Sequence, residues 1–209
     1  MNILRFKSMS ASYLTAILLI GATFAAACNS APAPRAVNDS ANSTSAQRLQ
    51  QKIPPRDQQA IDSASNVQVT KLDGGTFKLS DFRGKVVVVD FWRTDCAPCR
   101  HLVPQLAELS RKYRDKGLEV VGLTSDDPVN QEEVVKFLKA FSADYTVGYD
   151  NQWLSSAFLK GTEDETGPPI PQLFVLSRDG RVVDHFIGAN PRSGVENLEQ
   201  VVSQQLASR

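Results

Sequence analysis

Most notable in this 209-residue chain is how little conventional catalytic equipment it carries. There are three cysteines, Cys28, Cys96 and Cys99, which is too few for a scaffold stapled by disulfides. There are two histidines, His101 and His185. A structural zinc site usually takes four protein ligands, so a metal centre is not expected. Lysine plus arginine and aspartate plus glutamate each number 23, so the formal charge is zero. No basic excess points to nucleic acid as a partner. No glycine-rich nucleotide fingerprint is present, so neither a nicotinamide nor a flavin cofactor is expected. No internal repeat is visible.

What remains is one dense stretch. Val86-Val87-Val88-Val89-Asp90-Phe91-Trp92 reads as a strand buried on both faces, because polar alternation is missing. After Arg93-Thr94-Asp95 comes Cys96-Ala97-Pro98-Cys99, and then Leu102, Val103, Leu106 and Leu109 at helical spacing. That order places Cys96 at a helix N-terminus, where unpaired N–H groups and the helix dipole favour a thiolate. Cys99 follows one turn later and is within reach for a disulfide. Cys96 is therefore the candidate nucleophile, Cys99 the resolving thiol, and the pair itself the redox group.

The combination of Asp90-Phe91-Trp92 with Cys96-Ala97-Pro98-Cys99, and Pro104 five residues on, resembles the thioredoxin superfamily. Within it, the stretch Leu79-Ser80-Asp81-Phe82-Arg83-Gly84-Lys85 before the valines resembles the TlpA/ResA-like exported thiol–disulfide oxidoreductases. The resemblance implies an α/β thioredoxin-like fold: a central mixed sheet with helices on both faces and a TlpA-type inserted helix and strand. It implies that Pro171 is the cis-proline facing the dithiol, with Pro169 as the alternative in Gly167-Pro168-Pro169-Ile170-Pro171. Trp92, Pro98 and Ile170 become candidate substrate contacts. Asp90 is read as a proton relay to Cys99, its pKa raised by burial.

Two positions depart from the family. Leu102 stands where ResA-like reductases commonly have glutamate, leaving Asp90 as the candidate proton carrier. Asp95 precedes Cys96, where the family often has a large residue. Its charge opposes a thiolate, Arg93 and Arg100 are placed to offset it, and it is also a candidate helix cap.

Along the chain, residues 1–28 read as an export signal. Arg5 and Lys7 precede an apolar run, and Ala25-Ala26-Ala27-Cys28 resembles a lipobox with Cys28 lipidated. Plain cleavage and an uncleaved anchor are the alternatives. Residues 29–66, rich in Ala, Ser, Pro, Asn and Gln, are expected to be a flexible tether, in which 47–49 and 56–61 are candidate short helical turns. The thioredoxin-like domain is expected over 67–209, with strands at 118–123, 145–149, 173–176 and 182–187. Its later helices are expected at 129–141, 153–159 and 194–206.

The expected activity is thiol–disulfide exchange with protein thiols and disulfides of the cell envelope, in the reducing direction. The family implies a membrane electron donor of DsbD/CcdA type. A peroxiredoxin-like peroxidase is the enzymatic alternative, although Thr94 lies only two residues before Cys96. A membrane-tethered binding or chaperone module is the non-enzymatic one.

Overall fold

Along the valine run successive side chains point to opposite faces of the strand, and this decides how the layers form. The computed structural model describes residues 57–188 and 194–208. The export signal, Cys28 and the tether up to residue 56 lie outside the described residues, as does the side chain of Val195. In chain order the elements are α1 (Gln58–Ser65), β1 (Val69–Thr70), β2 (Thr76–Phe77), β3 (Val86–Trp92), α2 (Ala97–Tyr113), β4 (Leu118–Thr124), α3 (Gln131–Ala140), β5 (Thr146–Tyr149), α4 (Gln152–Phe158), β6 (Gln172–Leu176), β7 (Val182–Ile187) and α5 (Gly194–Ala207).

Five strands form one sheet in the order β5-β4-β3-β6-β7. β3 lies at its centre, parallel to β4 and antiparallel to β6. Every β3 residue is buried. Val87, Val89 and Phe91 pack with Ile61 of α1 and with Leu154 and Phe158 of α4. Val86 and Val88, on the opposite face, pack with Leu102, Leu106 and Leu109 of α2 and with Leu198 and Val202 of α5. Helices therefore cover both faces, and an unalternating valine run is what such a strand needs.

The inserted strand β5 takes the sheet edge beside β4. The first apolar residues form a separate two-stranded hairpin, β1 with β2, around Asp73-Gly74-Gly75. This hairpin reaches β5 through a bridge between Lys71 and Gly148. Gly148 has no room for a side chain: a Cβ there would sit 2.7 Å from Val69 Cγ1 and 2.8 Å from the Thr70 carbonyl oxygen. After α2 the chain turns into β4 at Gly117, whose φ of 95° is the left-handed conformation glycine adopts without cost.

One boundary is corrected. The composition places the tether up to residue 66, but residues 58–65 form α1. Asp57 caps this helix by accepting from the Ala60 N–H at 3.1 Å. Ile61 is fully buried against the sheet. Burying one isoleucine contributes about 2 kcal/mol towards holding this helix on the sheet.

Candidate active site

β3 delivers the chain to the dithiol through a short loop that Asp126 holds. The Thr94 N–H and hydroxyl donate to the Asp126 carboxylate at 3.0 and 2.8 Å, and the Thr124 hydroxyl donates to it at 2.6 Å. The Ser125 N–H donates to the Trp92 carbonyl at 3.2 Å, tying the same loop to the end of β4. Arg93 and Asp95 form an ion pair with each other at the exposed tip. Arg100 instead lies over the Phe137 ring, 5.7 Å from its centroid.

Cys96 and Cys99 form a disulfide with Cα atoms 5.3 Å apart. Cys96, not Asp95, caps α2: its sulfur accepts from the Cys99 N–H at 3.2 Å. Asp95 lies one residue too early, and its carboxylate is engaged by Arg93. Pro98 falls in the first turn, where a missing N–H costs nothing, and its side chain is exposed. Cys96 is 9% exposed and Cys99 is 0% exposed, so the sulfur at the helix tip is the one an incoming group reaches. That sulfur sits where backbone N–H groups converge, which stabilises its thiolate on reduction.

Facing the disulfide is the loop before β6. The Ile170–Pro171 peptide bond is cis, and it is the only cis bond among the described residues, which decides between Pro171 and Pro169. The Ile170 carbonyl oxygen lies 3.9 Å from Cys96 Sγ. The Gly188 N–H donates to the Pro171 carbonyl at 2.8 Å, extending the β6–β7 ladder to this point.

Asp90 belongs to the same central strand as the residues leading to the dithiol. It is on the α2-covered face of β3, two residues before Trp92, which packs with both cysteines. Asp90 is fully buried, and neither carboxyl oxygen has a hydrogen-bond partner among the described residues. Desolvation alone pushes its pKa up from 3.8 to about 8, so at neutral pH the carboxyl is mostly protonated. The Tyr145 hydroxyl, also buried and without a partner, is held well above the usual phenol range by burial and then by the Asp90 charge. Leu102, at the position without its family glutamate, is buried among apolar side chains. The described residues contain no group of three or more His, Cys, Asp or Glu placed to hold a metal ion.

Trp92 departs from expectation. The sequence makes it a candidate substrate contact, but it is 1% exposed and its ring stacks on Phe137 at 5.3 Å between centroids. It forms the wall behind the disulfide and does not reach the surface. Ile170 is partly exposed, as a substrate contact requires. Sequence reasoning missed Asp126, Tyr145 and Gln172. The Thr124-Ser125-Asp126 turn at the end of a strand parallel to β3 was a usable signal for the first. The other two show none.

Comparison with known proteins agrees with this geometry. The Redoxin family profile matches residues 57–202. The thiol-disulfide oxidoreductase ResA of a Bacillus cereus strain is 32% identical over 143 residues, covering 67% of this chain and 76% of that protein. A Chlorobium tepidum protein provisionally assigned as thiol:disulfide interchange protein DsbE superposes with a TM-score of 0.59 at 30% identity, covering 69% of this chain and 95% of its own. A secreted thiol-disulfide isomerase from Corynebacterium glutamicum shares the fold with a TM-score of 0.59 at 23% identity, covering 68% and 84%.

Proposed function

The chain belongs to the Redoxin family and is a thioredoxin-like thiol–disulfide oxidoreductase, and from that premise we propose that it is an exported reductase of protein disulfides working through Cys96 and Cys99. The observation that carries this reading is the asymmetric pair: a reachable Cys96 at the helix tip, an enclosed Cys99 behind it, and the Ile170 backbone 3.9 Å from the attacking sulfur.

In the reducing direction the Cys96 thiolate attacks one sulfur of a substrate disulfide. The Cys96–substrate bond forms, the substrate S–S bond breaks, and the departing sulfur takes a proton. Cys99 then gives up its proton and attacks Cys96 Sγ. The Cys96–Cys99 bond forms and the second substrate thiolate leaves, to be protonated in turn. Two electrons and two protons pass from the dithiol to the substrate. In its ionised form, the minor one at neutral pH, Asp90 is the base that takes the Cys99 proton, its pKa of about 8 being near that of a thiol. No further cofactor takes part; the dithiol carries the electrons. A substrate segment lies alongside Ile170 and Pro171 as an added strand, with Pro98 at its rim.

The oxidised pair is re-reduced by a membrane thiol donor of DsbD/CcdA type. Residues 1–28 direct export, Cys28 carries the lipid, and the segment after it tethers a domain that begins near Asp57. The small residues before Cys28 support this placement, and the Corynebacterium glutamicum neighbour is described as secreted. Among the described residues no helix is long and apolar enough to cross a membrane.

The test is dithiothreitol-driven reduction of insulin by the wild type, Cys96→Ser and Cys99→Ser. Turnover is expected only in the wild type, and Cys99→Ser mixed with insulin without dithiothreitol is expected to hold a mixed disulfide. Full turnover in Cys96→Ser would refute it.

A further inference from the structure

Gln172 is the one amide side chain that is fully buried among the described residues, and it directly follows Pro171. Its hydrogen bonds leave no freedom in how it is oriented. The Pro169 carbonyl can only accept, so the Gln172 Nε2 must face it, at 2.8 Å. The same Nε2 donates its second hydrogen to Thr162 Oγ1 at 2.9 Å, and the Thr162 hydroxyl donates onward to the Leu159 carbonyl at 2.6 Å. The Gln172 Oε1 can only accept, so His185 Nε2, 2.7 Å away, carries the proton and donates. The His185 ring is itself set by stacking on Phe174, with centroids 4.1 Å apart. The amide thus joins β7, the end of α4 and the loop facing the disulfide.

The consequence falls on Ile170. The Pro169–Ile170 peptide is trans, so its C=O and N–H point to opposite sides. With the carbonyl drawn inward to a fully buried amide, the Ile170 N–H is turned outward. It has no backbone partner among the described residues. The carbonyl of the same residue lies beside Cys96 Sγ.

We propose that Gln172 is a positioning residue for protein substrates: by holding the Pro169 carbonyl, it sets the Ile170 backbone so that an extended segment flanking a substrate disulfide pairs with it. This rests on the reading that Cys96 attacks protein disulfides. It also narrows the substrate class to disulfides in main-chain segments free to extend; small disulfides lacking such a backbone gain nothing from the pairing. His185 supports the amide from the far side.

The test compares kcat/KM for insulin with that for hydroxyethyl disulfide, both driven by dithiothreitol. Gln172→Met keeps the length of the side chain but removes both donors and the acceptor. The insulin-to-small-disulfide ratio should fall about tenfold, the effect of one or two lost backbone hydrogen bonds, and the fall should be mainly in KM. His185→Phe keeps a ring to stack on Phe174 but cannot donate, and should lower the ratio about twofold or more. His185→Gln, which can donate, should restore it. If Gln172→Met does not fold, the His185 pair decides alone. An unchanged ratio in Gln172→Met or, failing that, in His185→Phe, or equal losses on both substrates, overturns the inference. Insulin reduction by Cys96→Ser at the wild-type rate overturns the underlying reading instead.

Discussion

Asp90 and Gly122 stand opposite each other across the parallel β3–β4 ladder. The buried carboxyl therefore has no side chain beside it on that strand. Nearest to where a Gly122 Cβ would sit are Trp92 Nε1, at 3.0 Å, and the Tyr145 ring, at 3.2 Å. Trp92 Nε1 and the Tyr145 hydroxyl, like Asp90, have no hydrogen-bond partner among the described residues. Three unpaired polar groups on one enclosed face cost stability, which a packed core would otherwise avoid.

That cost has a pH signature. In the unfolded chain Asp90 ionises at its ordinary value, whereas in the folded protein it holds its proton up to about pH 8. Between these values the folded state binds more protons than the unfolded state, so stability falls as pH rises from about 4 to about 8, and then levels off. At pH 7 the penalty is on the order of 4 kcal/mol. Asp90→Asn should stabilise the oxidised protein by a comparable amount at pH 7 and above, and scarcely at pH 4. Urea unfolding at both pH values measures this. Equal stabilisation at both would contradict the burial of an ionisable Asp90.

The same substitution should slow exchange. If Asp90 takes the Cys99 proton, the rate of mixed-disulfide resolution in the wild type should rise with an inflection near pH 8. In Asp90→Asn that inflection should vanish and the rate should drop, as followed by stopped-flow tryptophan fluorescence. An unaltered profile would remove Asp90 from the mechanism.

Gly148→Ala should loosen the β1–β2 hairpin. Its Cβ would meet the Thr70 carbonyl at 2.8 Å and Phe77 Cε1 at 2.9 Å, and a backbone atom cannot rotate aside. A loss of about 1–3 kcal/mol is expected from such overpacking. Hydrogen exchange should rise at Val69 and Phe77 first. No change in either the urea midpoint or the local exchange would count against the close approach described.

How much of this is legible in the sequence depends on distance along the chain. β3, α2 and the β6–β7 hairpin can be read because each carries its own apolar periodicity, and Cys96 and Cys99 because their spacing is local. Helix α1 shows in the sequence only as a candidate turn at 56–61 within the expected tether: Ile61 is its only large buried side chain, and its neighbours are small or polar. Trp92 reads as a substrate contact because its burial depends on Phe137, far along the chain, which the sequence does not pair with it. Gln172 reads as an ordinary polar residue starting a strand. Its partners Thr162 and His185, 10 and 13 positions away, are brought to it only by the fold.

The central claim is that the Cys96–Cys99 pair is a reducing couple. Equilibrating the purified protein against a glutathione or dithiothreitol redox series and quantifying the free thiols gives its potential directly. A value near roughly −270 mV, the thioredoxin end of the scale, is the result expected of a reductase fed by a membrane donor. A value near about −120 mV, the DsbA end, would make the protein an oxidant of exported thiols and contradict the proposed direction.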